Sequence, residues 1–197
     1  MRIVFATKNE GKVKEITEML ARTDIELVSL NHFKSLPEIV EDGKTYLENA
    51  LKKAKIISEF VGETVLADDS GLQVDALGGE PGIYSARYAG EGATDEENNI
   101  KLLAKLKDVP QALRTASFFC ALVLYHQDAH YDAFEAQWQG RIIDERRGTN
   151  GFGYDPIFLA PQLNKTAAEL PPEIKNRISH RGQAFAQLKS YLGKYTK

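Results

Sequence analysis

Two long β-prone runs, at 115–125 and 131–140, bracket the short polar stretch Gln127-Asp128-Ala129-His130. Aromatic and β-branched runs on either side of a few turn-forming residues read as a hairpin, which makes the two strands antiparallel. Elsewhere the chain alternates short apolar runs with helical spacing. The run at 3–6 leads into Val13, Ile16, Met19 and Leu20, and further strand candidates lie at 25–30, 64–67, 72–76 and 154–159. Thr45-x-x-Glu48 and Thr94-x-x-Glu97 are capping boxes that open two more helices, one carrying Leu47, Ala50, Leu51, Ala54, Ile57 and Val61, the other Leu102, Leu103 and Leu106. A last helix starts at about Arg181, with Ala184, Phe185, Leu188, Tyr191 and Leu192 on its buried face. Hairpin and strand-helix connections in one chain exclude a purely parallel sheet. The fold class is therefore α/β with a mixed β-sheet flanked by helices.

The 197 residues suit one domain, 1–197, with a sizeable core, and no linker or internal repeat divides them. No stretch approaches the roughly 20 apolar residues that span a bilayer, so no membrane partner is expected. Met1-Arg2-Ile3-Val4-Phe5 runs straight into a strand without a signal-peptide layout, which gives a cytoplasmic expectation. Cys120, the lone cysteine, lies within the apolar run 118–124 and reads as a core residue. The net charge of −3 argues against an extended nucleic-acid surface and requires any anion site to concentrate its basic groups locally.

Such a concentration occurs at Thr7-Lys8-Asn9-Glu10-Gly11-Lys12, where a strand turns into a helix. The first turn of a helix carries unpaired N–H groups and partial positive charge, and Lys8 and Lys12 add full charges, a combination suited to polyphosphate. An ordinary strand-helix turn with solvated lysines would use the same residues. A second constellation, Ala67-Asp68-Asp69-Ser70-Gly71, follows the apolar run 65–67 and reads as a strand end. Adjacent carboxylates repel and raise one another's pKa unless cations or donors separate them, so such a pair suits a metal or acid-base site. A solvated turn is the alternative. Phosphate cradle and carboxylates together are the minimum for Mg²⁺-assisted phosphoryl chemistry.

Three tempting motifs fail. Gly43-Lys44-Thr45 lacks the first Walker glycine, because position 38 is Glu38; Gly151-x-Gly153 has Pro156 where the dinucleotide fingerprint needs glycine. His126-x-x-x-His130 has zinc-like spacing only on a helix, and it lies in the hairpin, where a solvated turn is the expectation.

Five segments, taken in order, resemble the inosine/xanthosine triphosphate pyrophosphatase family: 7–12, 67–72, Gly78-Gly79-Glu80-Pro81-Gly82-Ile83-Tyr84-Ser85-Ala86-Arg87-Tyr88, Gly151-Phe152-Gly153-Tyr154-Asp155-Pro156, and Ile178-Ser179-His180-Arg181-Gly182. Lys8 departs from the small residue that many members carry there. The resemblance implies an elongated molecule of two lobes with a central substrate cleft, a homodimer, and a Mg²⁺-dependent hydrolase that cleans the nucleotide pool. It would cut ITP, dITP and XTP between the α- and β-phosphates. It further implies that Thr7, Lys8, Asn9, Glu10, Gly11, Lys12, Lys53 and Ser70 bind the substrate, with Asn9, Lys12, Lys53 and the amides of the 7–12 loop on the phosphates, that Glu41 and Asp69 hold the metal, and that Asp69 activates water with Asp68 tuning it. Lys53 is singled out from Lys52 and Lys55 by the resemblance alone, since all three suit a solvated helix face. Base recognition would fall to Phe152, Gly153, Tyr154, Asp155, His180 and Arg181, with Lys175 near the substrate. The aromatics would stack on the purine, and Arg181 would donate to a 6-keto oxygen. Arg87 carries only a phosphate-side expectation. A phosphohydrolase releasing orthophosphate and a non-catalytic nucleotide-binding regulator are the rival readings.

Overall fold

The computed structural model describes residues 1–20 and 25–193. Seven strands form one sheet in the order β2-β1-β3-β4-β5-β6-β7. They are β1 (Arg2–Phe5), β2 (Glu26–Ser29), β3 (Val65–Val74), β4 (Thr115–Tyr125), β5 (Tyr131–Ile142), β6 (Phe158–Ala160) and β7 (Lys165–Thr166). The helices are α1 (Glu10–Leu20), α2 (Tyr46–Val61), α3 (Asp95–Lys105), α4 (Pro172–Ile178) and α5 (His180–Leu192). β1 runs parallel to β2 and β3, with Val4 opposite both Val28 and Val65, whereas β6 is antiparallel to β5 and to β7. The mixed sheet expected from the two kinds of connection is present.

The capping boxes set the helix starts. Thr45 accepts from the Glu48 amide at α2, and the reciprocal pair of Thr94 and Glu97 is complete at α3. Gly62, with φ 68, ends α2 in the left-handed conformation that glycine adopts without steric cost.

Contacts divide the chain into two compact units, each discontinuous in sequence. The first comprises Met1–Asp69, Cys120–Ala136 and Arg181–Lys197; the second comprises Ser70–Phe119 and Gln137–His180. Each unit has its own core. In the first, Ile3, Phe5, Ile16, Leu66, Leu122, Phe134 and Phe185 cluster; in the second, Leu72, Leu102, Phe118, Trp138, Tyr154 and Phe158 do.

Several elements differ from the sequence expectation, among them the short strand β7, which it lacked. The candidates at 64–67 and 72–76 are one strand, so Asp68 and Asp69 stand inside β3 rather than at a strand end. Buried cations compensate Asp68, as described below, and the strand runs through a sequence whose charges alone suggest a turn. The candidate at 154–159 shrinks to β6, because residues 151–157 are occupied by turns, with Asp155 N–H bonded to Phe152 O (3.3 Å) and Ile157 N–H to Tyr154 O (3.1 Å). Finally, α4 begins at Pro172, where a missing N–H costs nothing, in a stretch for which the sequence offered no helix.

Candidate functional site

The first unit contains the phosphate-type constellation. Between β1 and α1 the loop folds on its own side chains: Thr7 Oγ1 accepts the Asn9 N–H at 3.1 Å, and Asn9 Oδ1 accepts the Lys12 N–H at 3.0 Å. Asn9 is therefore the N-cap of α1, with its oxygen committed and its Nδ2 left as the donor end. Glu10 is exposed and Gly11 half-buried in the first turn. A cavity of about 480 Å³ is lined by Thr7, Lys8, Glu38, Glu41 and Lys53, among others.

Asp68 and Asp69 are both buried, yet they meet different surroundings. Asp68 pairs with Lys12 and with Arg181 (Nε at 3.2 Å), and accepts from the Cys120 thiol at 3.2 Å. Burial pushes its pKa up, but Lys12 and Arg181 outweigh burial and hold the carboxyl well below the usual range. Asp69 accepts a hydrogen bond from Asn49 Nδ2 at 3.1 Å. Burial is the main cause that raises its pKa to about 6; Lys12 and Lys53 oppose the rise, and Glu41 and Asp68 add to it. Lys53 bridges Glu41 (2.5 Å) and the Asp68 carbonyl (3.1 Å). The result is a permanently charged aspartate beside one poised near neutrality, the pairing that acid-base chemistry uses.

Arg181, expected to read the base, is paired within the first unit. Only 2% exposed, its guanidinium lies between Asp68 and Glu15, with Nη1 2.5 Å from Glu15. Burial alone would lower its pKa, but the two carboxylates raise it further above the ordinary arginine value. Nε and Nη1 thus meet carboxylates of the first unit, which offset the charge of a buried guanidinium.

The second unit gathers the late motif. Asp155 Oδ2 accepts the Phe152 N–H at 2.9 Å and lies 2.5 Å from Lys175 Nζ, which sits 5.1 Å from the Phe152 ring centroid. Gly151 is required here: at φ 76, a Cβ would approach Asp155 Oδ2 to 1.9 Å. The Gly153 N–H donates to Asp95 (2.6 Å) and its carbonyl accepts from Asn99 (2.9 Å), which fixes the turn against the start of α3. Tyr154 is a core residue, only 4% exposed, whose hydroxyl donates to the Ser85 carbonyl at 2.8 Å. Phe152 is half-buried, less enclosed than Tyr154. His180 is buried and stacks on Phe118 at 4.8 Å. Ser70 is half-buried in β3, and Arg87 is engaged by Glu91 (3.5 Å) and lies over Tyr84.

Asn49 escaped the sequence reading. It is fully buried, takes the Gly43 N–H on Oδ1 at 2.8 Å and gives its amide to Asp69. A Cβ at Gly43 would come within 2.6 Å of that Oδ1, so the glycine permits the approach. The signal was available: Tyr46, Asn49, Ala50, Lys53, Ala54 and Ile57 form the buried stripe of α2, and two polar residues at i, i+4 on such a stripe require a polar destination.

An α/β sheet that carries buried carboxylates, with lysines and the loop before a helix lining a cavity, defines a class of proteins that handle phosphate esters and anhydrides. Within it, the chain belongs to the Ham1 family, whose sequence pattern matches residues 3–191. The chain is 52% identical over 192 residues to the dITP/XTP pyrophosphatase of Geobacter sulfurreducens, covering 98% of this chain and 96% of that protein. It is 47% identical over 194 residues to that of Desulforamulus reducens, with the same coverage. Among solved structures, a Ham1 protein from Coxiella burnetii superposes with a TM-score of 0.89 at 43% identity, covering 98% of this chain and 99% of that one. The Staphylococcus aureus Ham1 protein gives 0.88 at 41% identity over the full length of both.

Proposed function

We propose that the chain is a nucleoside triphosphate pyrophosphatase acting on the non-standard purine nucleotides dITP, ITP and XTP. The observation that carries this reading is Asp69: a buried carboxylate, held by Asn49, raised to about 6 and set among Lys12, Lys53 and Glu41. Water attacks the α-phosphorus, the α–β bridge breaks, and pyrophosphate leaves with the bridging oxygen. Asp69 accepts the proton of the attacking water, a task for which a pKa near the working pH is suited. Lys12 and Lys53, with the donors of the 7–12 loop, hold the phosphates and offset their charge, which would otherwise repel the nucleophile.

Glu41 and Asp69 fit a hard divalent cation. Both supply carboxylate oxygens, and like charge between them is among the causes that hold Asp69 above its ordinary pKa, a cause that a cation removes. Mg²⁺ bound there would supply charge neutralisation and polarisation of the reacting oxygens. Lys53, which pairs with Glu41, then has its charge available for phosphate.

Base selection rests with the second unit. The half-buried ring of Phe152 suits a stacked purine, and Lys175 beside it, an ammonium with three donors, suits keto oxygens such as those of hypoxanthine and xanthine. The 6-amino group of adenine would place a donor against a donor. Arg181 is given the structural role described above and Tyr154 a core role.

No described helix is long and apolar enough to cross a membrane. We infer from the family's activity that the reaction cleanses the cytoplasmic nucleotide pool, and a homodimer, implied by family resemblance, is checked by light scattering on the purified chain. Product identity tests the whole reading. Incubation with dITP and Mg²⁺ is expected to give dIMP and pyrophosphate; orthophosphate would instead indicate a stepwise phosphohydrolase, and tight binding without turnover a nucleotide-binding regulator.

A further inference from the structure

The hairpin between β4 and β5 brings together three side chains that the reaction does not use. His126 and His130 close the turn, with the His126 N–H bonded to the His130 carbonyl at 2.9 Å and Ala129 at φ 66. Their separation in sequence suits zinc on a helix. In this tight hairpin it does so by another route: the chain folds back, and the two imidazoles stack at 4.0 Å with an interplanar angle of 11°. Asp132, next along β5, places Oδ2 3.0 Å from His126 Nε2. One donor atom each of His126, His130 and Asp132 lies within 4.8 Å of the others, the one such group of His, Cys, Asp or Glu side chains found among the described residues.

We propose that His126, His130 and Asp132 form a binding site for a divalent transition ion of the Zn²⁺ class. Two imidazole nitrogens and one carboxylate oxygen are a borderline donor set, which selects Zn²⁺ and its neighbours over Mg²⁺. Three protein ligands leave a fourth position for water. Zn–N and Zn–O bonds of about 2.0–2.2 Å put tetrahedral ligands roughly 3.3 Å apart, close to the His126–Asp132 spacing already present. His130 closes the remainder by side-chain rotation, for which a side chain 56% exposed has room. The outer contacts fit as well. Asp128 engages His130 Nδ1, leaving Nε2 to face the ion, the carboxylate–histidine–metal arrangement that orients ligating imidazoles. Asp132 also takes a hydrogen bond from Tyr191 of α5, and Gln127 Nε2 donates to the Gly62 carbonyl at 2.8 Å, so the turn that carries the ligands is itself fixed to α5 and to the end of α2. An ion here therefore ties together the part of the first unit where the hairpin, α2 and α5 meet.

Zn²⁺ alone, titrated calorimetrically into metal-free protein, is the probe. One equivalent per chain is expected, and the thermal midpoint should rise with added Zn²⁺. Binding should persist in the Glu41→Gln/Asp69→Asn protein, in which the carboxylate site is disabled, and weaken at least tenfold in His126→Gln and in His130→Ala, both checked for native circular dichroism. Co²⁺ in place of Zn²⁺ should give the visible bands of a tetrahedral ion that vanish in His126→Gln. The proposal is overturned by the absence of saturable Zn²⁺ binding in the wild type, by binding unchanged in the two histidine variants, or by binding lost in the Glu41→Gln/Asp69→Asn protein.

Discussion

Replacing Arg181 with leucine separates two roles that one arginine can play. Leucine keeps much of the buried volume and removes the charge, leaving Asp68, which is fully buried, with Lys12 but without a guanidinium, and taking from Glu15 its pair with Arg181. Breaking a buried pair from one side costs about 3–5 kcal/mol, and the surviving Lys12 contact places this case near the lower end, at about 3 kcal/mol. For a chain of this length each kcal/mol moves the midpoint by about 2–4 °C, so thermal unfolding should shift down by roughly 6–12 °C. Acid dependence gives a second reading. The folded pKa of Asp68 lies below its unfolded value, so its stabilising contribution is present above about pH 4 and is lost as pH falls towards the folded pKa. Arg181→Leu should therefore show a shallower loss of stability on acidification than wild type. In the double variant Asp68→Asn/Arg181→Leu the losses should add to less than their sum, because both act on one interaction. Urea and thermal unfolding at several pH values, run beside dITP and ATP efficiencies, decide the matter. An unchanged midpoint with a collapsed dITP:ATP preference would refute the structural assignment and return Arg181 to the base.

Asp69→Asn should abolish turnover while nucleotide binding survives. In the absence of metal it should also stabilise the protein at pH 7.5: the rise from 3.8 to about 6 disfavours the charged form by up to roughly 3 kcal/mol, a penalty absent below pH 4 and complete above the folded pKa. Unfolding curves at pH 4 and 7.5 check this, and a variant less stable than wild type at pH 7.5 would remove the case for a functionally strained carboxylate. Phe152→Ala should cost about 1–3 kcal/mol of stacking, that is roughly five- to 150-fold in efficiency on dITP, while inhibition by pyrophosphate, which has no base, stays unchanged. Equal losses for both ligands would place Phe152 in the fold instead.

The fold was legible where the signal was local. The hairpin, the capping boxes of α2 and α3 and the N-terminal strand-helix unit all follow from residues within one or two turns of one another. Less was legible where a residue's role depends on partners distant in sequence. Arg181 is 113 positions from Asp68 and 166 from Glu15, and no pattern near it indicates that it faces carboxylates. Tyr154 looks like a stacking aromatic in its motif, and only the Ser85 carbonyl, 69 positions away, shows its hydroxyl end committed to the interior. Asn49 was legible as a polar residue on an apolar stripe, although its target was not.

The different fates of Asp68 and Asp69 follow from the period of the strand that carries them. Successive side chains of a β-strand point to opposite faces, so two adjacent aspartates inside β3 cannot share one environment. Asp68 lies on the face it shares with Leu66, where α1 and α5 supply Lys12 and Arg181 and strand β4 supplies Cys120. Asp69 turns to the side of α2, where Asn49 gives one amide hydrogen and burial is left incompletely compensated. At a strand end, as the sequence suggested, nothing would force the two carboxylates onto opposite faces. Inside the strand, the alternation holds one as a fixed negative charge that anchors Lys12, and leaves the other near neutrality, able to take and release a proton at physiological pH. Insertion of one residue between Val65 and Ala67 would exchange the two faces, and it would disable the site without altering any side chain in it.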